Sequence, residues 1–94
     1  AISKAGLISM TKLIARFGAP YNIMCNAIAP GIIKTNLTKN EVKGKGGQNY
    51  IDMTLLKRFG EISDVVSAVL FLASENQNYI TGDVINLTGG ASLG

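Results

Sequence analysis

Apolar residues recur at spacings of three and four over residues 3–18, at Leu7, Met10, Leu13, Ile14 and Phe17. That period stripes one face of a helix. Gly18 and Pro20 supply its stop, because glycine tolerates a left-handed cap and proline cannot continue the hydrogen-bond ladder. From Tyr21 to Ile28 the chain is short and nearly all apolar, the pattern of a strand covered on both faces. Helix followed by strand is half of a βαβ unit. Residues 36–49 (NLTKNEVKGKGGQN) are polar and glycine-rich with no sustained period, so they read as a functional or disordered loop. Gly44, Gly46 and Gly47 are expected to make this loop mobile rather than to open a helix, and Tyr50–Leu56 is expected to form a short one. Apolar positions then return over about Ile62 to Ser74. Val65, Val66, Val69, Leu72 and Ala73 stripe one side, and Ala68, Leu70 and Phe71 occupy others. A helix apolar nearly all round needs cover on more than one side. Its cap is open between Glu61 and Ser63. Asp83–Thr88 is a final strand, ended by Gly89-Gly90. The order helix, strand, loop, helix, strand is an α/β pattern.

Composition sharpens this picture. The 94 residues are 47% hydrophobic and 16% charged, which is apolar for a chain with so high a surface-to-volume ratio. A membrane-spanning helix needs about 18 consecutive apolar residues, and no run approaches that length. The excess therefore implies a fragment whose faces meet missing strands and partner subunits. The net charge of +3 includes Lys39, Lys43 and Lys45 in one polar stretch. No aromatic interleaves with them, which argues against nucleic acid as a partner. Histidine is absent, which excludes a Ser-His-Asp arrangement or an imidazole metal site on this segment alone. Cys25 is solitary within an apolar run and reads as a buried, reduced thiol suited to the cytoplasm. No metal site is expected.

Two places carry candidate chemistry. Asn26-Ala27-Ile28-Ala29-Pro30-Gly31-Ile32-Ile33-Lys34-Thr35 runs from strand into loop. Pro30 donates no backbone hydrogen bond, and Gly31 has access to backbone angles closed to other residues. In an open α/β sheet, ligands bind beyond the carboxyl ends of the strands. The residues alone fit either a ligand-facing loop or an ordinary turn. Lys4 is the second place. A cation in the first turn opposes the helix dipole, so it is either a frayed, exposed side chain or a functional one.

The chain resembles the short-chain dehydrogenase/reductase family. The resemblance rests on Ser3-Lys4-Ala5-Gly6-Leu7, Ala19-Pro20-Tyr21-Asn22-Ile23, the NAIAPGIIKT segment, Arg58-Phe59-Gly60, Phe71-Leu72-Ala73-Ser74, Ile80-Thr81-Gly82 and Gly89-Gly90, in family order and at family-like spacing. It implies that residues 1–94 are the C-terminal part of one Rossmann-like, doubly wound parallel-sheet domain, with residues 36–58 a substrate-covering loop. Ser3-Lys4-Ala5 matches the end of a Tyr-x-x-x-Lys motif, whose tyrosine would immediately precede Ala1. The catalytic tyrosine and serine, the glycine-rich fingerprint and the residue that chooses NAD or NADP all fall outside this chain.

What the resemblance implies is hydride transfer between a nicotinamide cofactor, NAD or NADP, and a carbonyl or alcohol carbon. Lys4 would be catalytic, lowering the tyrosine's pKa, and would also bond the nicotinamide ribose. Pro30 and Gly31 would carry the chain over the nicotinamide. The backbone of Ile33 would hold its carboxamide, and the Thr35 hydroxyl would contact the carboxamide or a nearby phosphate. Asn26 would be structural. The 62–74 helix and 83–88 strand commonly form a subunit interface, which implies a homo-oligomer. Relatives with these motifs handle 3-oxoacyl thioesters, steroids, sugars and small alcohols. Thr88 stands where many relatives have aspartate, and Ile62 where many have proline. A non-catalytic interaction or oligomerisation module, or a binding-only member of the fold, remain the other readings.

Overall fold

A computed structural model describes residues 3–91, and the outermost positions of the expected 1–94 span lie outside them. The elements are α1 (Lys4–Gly18), a 3₁₀ turn (Ala19–Tyr21), β1 (Ala27–Pro30), α2 (Gly44–Met53), α3 (Ile62–Ala73) and β2 (Val84–Leu87). The chain forms two compact units. The first takes the chain through Ala29 and again from Ala68 to Ile85; the second takes Pro30–Ser67 and the chain from Asn86 onward. Both strands and α3 therefore contribute residues to each unit. The strands pair side by side. Ala27 N donates to Asp83 O at 2.9 Å, and four residues on in both strands Gly31 N donates to Leu87 O at 2.9 Å. That constant register is parallel pairing, and the fold class is α/β as expected.

In the first unit, Ser3 caps α1. Its hydroxyl accepts from Gly6 N at 3.2 Å, and its carbonyl accepts from Leu7 N at 2.9 Å. The helix stops at Gly18 as expected, but not by the expected cap. Gly18 has right-handed angles and leads into the 3₁₀ turn holding Pro20; Asn22, at φ 62°, takes the left-handed position. Gly18 is required sterically instead, since a Cβ there would lie 3.0 Å from Ile23 O. The buried face of α1 also differs from its apolar stripe. Thr11, Ala15 and Gly18 are buried, while Met10, Leu13, Ile14 and Phe17 are exposed among the described residues. At 3.6 residues per turn the two faces are about 100° apart. Small residues allow the close approach: Ala15 Cβ stands 3.4 Å from where a Cβ would sit on Gly82.

The first strand begins later than the apolar run suggests. Residues 21–26 lack a ladder partner among the described residues, because β2 starts only at Val84. Three side-chain bonds and one backbone bond to residues 80–83 tie this approach segment instead. Cys25 N donates to Thr81 Oγ1 at 3.0 Å, and Gly82 N donates to Cys25 O at 2.7 Å. Asn26 donates through Nδ2 to Ile80 O at 2.9 Å and accepts at Oδ1 from Asp83 N at 3.1 Å. Asn26 is structural, as expected. Gln77, 6% exposed, closes the same corner. Its Oε1 accepts from the Tyr79 and Ile80 amides at 2.9 and 2.6 Å, and its Nε2 donates to Leu72 O at 3.2 Å. Cys25 is half-buried and free rather than fully enclosed.

In the second unit the glycine-rich stretch does open a helix, six residues before the expected start at Tyr50. Gly44, at φ +77°, turns the chain into α2, and a Cβ on Gly47 would collide with the Val42 carbonyl. Gly44 and Gly47 thus permit a helix start where a loop is expected. Gln48 Nε2 donates to Asp52 Oδ1 at 2.9 Å one turn on. Thr54, 1% exposed, ends α2 by donating its hydroxyl to Ile51 O at 2.8 Å. Leu55 N and Leu56 N both donate to Gly89 O, at 2.9 and 3.1 Å. Neither candidate cap of α3 serves through its side chain. Asp64 reaches back to accept from Glu61 N at 2.8 Å, and its own N–H donates to Glu61 O at 3.0 Å. This is one half of a capping box, with an accepting side chain at the third helical position.

Candidate nicotinamide-binding turn

Beyond Pro30 the chain cannot continue as a regular ladder, and four of the five sequence-identified site residues gather in the turn that follows. Gly31 N closes the ladder on Leu87 O. Gly31 does not have positive φ, so the expected conformational reason for glycine is not the operative one. Space is the reason: a Cβ at Gly31 would fall on the Tyr50 hydroxyl. That hydroxyl accepts from Ile32 N at 3.0 Å. The Tyr50 ring is stacked on Phe59, with centroids 5.7 Å apart and planes 4° from parallel, and Phe59 is 5% exposed.

Ile33 then makes an isolated parallel bridge with Gly60. Gly60 N donates to Ile32 O at 3.0 Å, and Lys34 N donates to Gly60 O at 2.9 Å. The alternation of backbone directions in such a bridge turns the N–H and C=O of Ile33 itself to the opposite side. There the Ile33 carbonyl accepts from Thr38 Oγ1. Among the described residues the Ile33 N–H has no partner.

Thr35 is a local organiser. Its Oγ1 accepts from Leu37 N at 3.1 Å and Thr38 N at 3.2 Å, while Thr35 N donates to Thr38 Oγ1 at 2.9 Å. The two hydroxyl oxygens are 3.3 Å apart. Thr38 gives its single proton to the Ile33 carbonyl, so the Thr35 proton points to Thr38 or to a ligand. Thr38 was not among the sequence candidates. Its signal was a second hydroxyl residue three positions after Thr35, the spacing of a side chain that bonds nearby backbone.

Lys4 belongs to the first unit, whereas Pro30, Gly31, Ile33 and Thr35 belong to the second. Lys4 is the first residue of α1, directly after the Ser3 cap, and is exposed. Its ammonium has no carboxylate partner among the described residues. The dipole penalty is therefore borne by a helix end whose amides Ser3 already caps.

A second polar cluster borders the turn's own unit. Arg58 Nη1 lies 2.9 Å from Asp64 Oδ2 and also donates to Phe59 O at 3.0 Å. The hydrogen bond from Arg58, then that from Glu61 N, holds the Asp64 carboxyl below the usual carboxylate range; the same bond raises Arg58. Lys34 and Glu61 form an exposed pair at 3.5 Å. A cavity of about 280 Å³ is lined by Tyr50, Arg58, Phe59, Asp64, Ser67 and Thr88, among others. No group of acidic, cysteine or histidine side chains among the described residues is placed to hold a metal.

Comparison with known proteins bears on this geometry. A family model described as enoyl-(acyl carrier protein) reductase matches residues 1–92. The chain is 46% identical over 91 residues to a 3-oxoacyl-acyl-carrier-protein reductase of Aquifex aeolicus (strain VF5), covering 94% of this chain and 35% of that protein. It superimposes with a TM-score of 0.91 and 32% identity on a short-chain type dehydrogenase/reductase from Mycobacterium ulcerans, covering 96% of this chain and 33% of that one. A 4-hydroxyisoleucine dehydrogenase mutant complexed with NADH and succinate matches with a TM-score of 0.87 and 34% identity, covering 97% of this chain and 38% of that one. The chain thus spans about a third of the length of these relatives. Sequence, element order and backbone geometry agree, and the chain belongs to the short-chain dehydrogenase/reductase family.

Proposed function

We propose that this chain is the C-terminal third of an oxidoreductase that transfers hydride between NAD or NADP and a carbonyl or alcohol substrate. The observation that carries the reading is the Ile33 peptide, whose N–H faces away from the Gly60 bridge without a partner among the described residues. An amide donor beside a carbonyl and a hydroxyl suits a carboxamide, which both accepts and donates. Ile33 would hold the nicotinamide carboxamide through its backbone. Thr35, whose oxygen already accepts two amides, would donate its proton to the carboxamide or a phosphate oxygen. Pro30 and Gly31 would bring the chain to that position.

The bound nicotinamide supplies or accepts the hydride. Lys4 would act by charge and by hydrogen bonding. Its ammonium would stabilise the phenolate of a tyrosine four residues earlier, lowering that group's pKa toward neutrality. It would also donate to the nicotinamide ribose hydroxyls. Residues 36–58, including α2, would cover the substrate. The exposed side chains of Val66, Val69, Leu70 and Phe71 on α3 support a homo-oligomer formed through α3 and β2. No helix among the described residues is long and apolar enough to cross a membrane. The unpaired Cys25 supports a reducing, cytoplasmic setting.

Full-length protein should change the nicotinamide absorbance when given NADH or NADPH and a panel of carbonyl substrates. Lys4→Met should lower kcat by about a hundredfold or more, the scale of a lost acid–base contribution. An active wild type whose Lys4→Met variant keeps its kcat would remove Lys4 from the mechanism. A wild type that binds no nicotinamide would instead favour the non-catalytic interaction module.

A further inference from the structure

We infer that Tyr50 is a positioning residue for the nicotinamide turn, latching α2 to the backbone at Gly31-Ile32. The inference rests on the cofactor reading above and goes beyond it by naming a residue outside the family motifs. Its evidence is threefold. The Tyr50 hydroxyl accepts from Ile32 N at 3.0 Å. The same hydroxyl fills the space that a side chain at Gly31 would need. The ring is stacked on buried Phe59, which fixes where the hydroxyl stands.

The consequence is mechanical. Ile32 lies between the ladder's last bond at Gly31 and the bridge at Ile33. Without an acceptor at Ile32 N, the Gly31–Ile32 peptide loses that hold, while the next peptide keeps its bond from Gly60 N at the Ile32 carbonyl. The Ile33 N–H lies on that next peptide, so its direction shifts through the two soft dihedrals of Ile32, as far as the Gly60 bond allows. Tyr50 therefore acts on the ligand through Ile32 rather than by touching it. The glycine and the tyrosine form a matched pair: one leaves the space, the other occupies it and pins the next amide.

The test uses the full-length protein and three variants. Tyr50→Phe keeps the ring and its stacking but removes the acceptor. It should raise the KM for the nicotinamide cofactor about five- to tenfold, the equivalent of one hydrogen bond. The kcat should change by less than about twofold, since no group at the reacting atoms is altered. Gly31→Ala should weaken cofactor binding more severely, because its methyl group meets the hydroxyl. In the Gly31→Ala/Tyr50→Phe double variant the nearest remaining ring atom is Cζ, 3.1 Å from that methyl position, and binding should recover part of the loss. Residues in contact couple whatever their role, so a purely structural role is separated by the split of KM from kcat and by Ile32 exchange. Amide exchange at Ile32, which needs no cofactor, should quicken in Tyr50→Phe while α1 amides keep their rates.

An unchanged cofactor KM in Tyr50→Phe, an unchanged Ile32 exchange rate, or a double variant no better than Gly31→Ala would each overturn the latch. The failure of the functional reading looks different. There the wild type itself binds no nicotinamide, while Ile32 exchange still responds to Tyr50→Phe and supports the latch alone.

Discussion

Thr35 shows how one side chain is expected to serve structure and ligand together. Its oxygen accepts two amides and its proton is left for Thr38 or a ligand. Thr35→Val removes both functions, whereas Thr35→Ser keeps both. Cofactor affinity measured by nicotinamide fluorescence should fall about tenfold in Thr35→Val and stay near the wild-type value in Thr35→Ser, the scale of one to two lost hydrogen bonds. Equal affinity in all three would sink the assignment of Thr35 as a ligand contact. At this scale the sequence picked out Pro30, Gly31, Ile33 and Thr35, which lie together in one turn, but not the physical reason for each. Gly31 was legible as a glycine that must be one, yet its reason is the Tyr50 hydroxyl nineteen positions later. Tyr50 carries no local pattern pointing to the turn, since its partner Ile32 is set by tertiary placement, whereas Thr38 bonds Thr35 and Ile33 nearby in the chain. Gln77 is likewise invisible in sequence, being a polar residue between two apolar elements that becomes 6% exposed only when the corner closes on it.

Among the elements, periodicity located α1 and α3 well, without showing which face each buries within the described chain. The apolar stripe of α1 is exposed in the described chain and its small-residue face is covered, because a hydrophobic period says that a face will be buried without saying by what. The glycine-rich run before α2 concealed a helix start, since glycine lowers helix propensity but also permits the left-handed entry at Gly44. The α3 terminus was ambiguous until Asp64 was seen to bond the Glu61 amide. That carboxylate gives the element a pH dependence. Asp64 has its pKa lowered in the folded chain, so its contribution is fully present above the unfolded value and is lost as pH falls through the folded one. Wild type should therefore melt above Asp64→Asn at neutral pH, and the gap should narrow below about pH 4, where carboxylates protonate. A gap that holds or widens on acidification would contradict the role of the ionised carboxylate.

The whole molecule carries more exposed apolar surface than a self-sufficient domain of this size would present. Phe17 is 72% exposed, Leu70 66% and Phe71 58% among the described residues, and the chain covers about a third of its relatives' length. The composition alone, at 47% hydrophobic and 16% charged, already pointed to surfaces that other chain covers. Which surface meets which partner is not encoded in any one helix, because α1 and α3 both expose apolar residues. For α3 the expected cover is a second subunit. Phe71→Glu in the full-length protein should lower the oligomeric mass measured by light scattering, because a charge in an apolar interface is left without compensation. An unchanged mass would place the interface elsewhere.

The central claim is that the Ile33 peptide receives the nicotinamide carboxamide. It is tested most directly by assigning the Ile33 amide resonance in the full-length protein and titrating NADH and NADPH. The account predicts a saturable shift of that resonance with one of the two, accompanied by Thr35 and shared by neither Lys39 nor Lys43. Saturable cofactor binding that leaves the Ile33 resonance unmoved would contradict it.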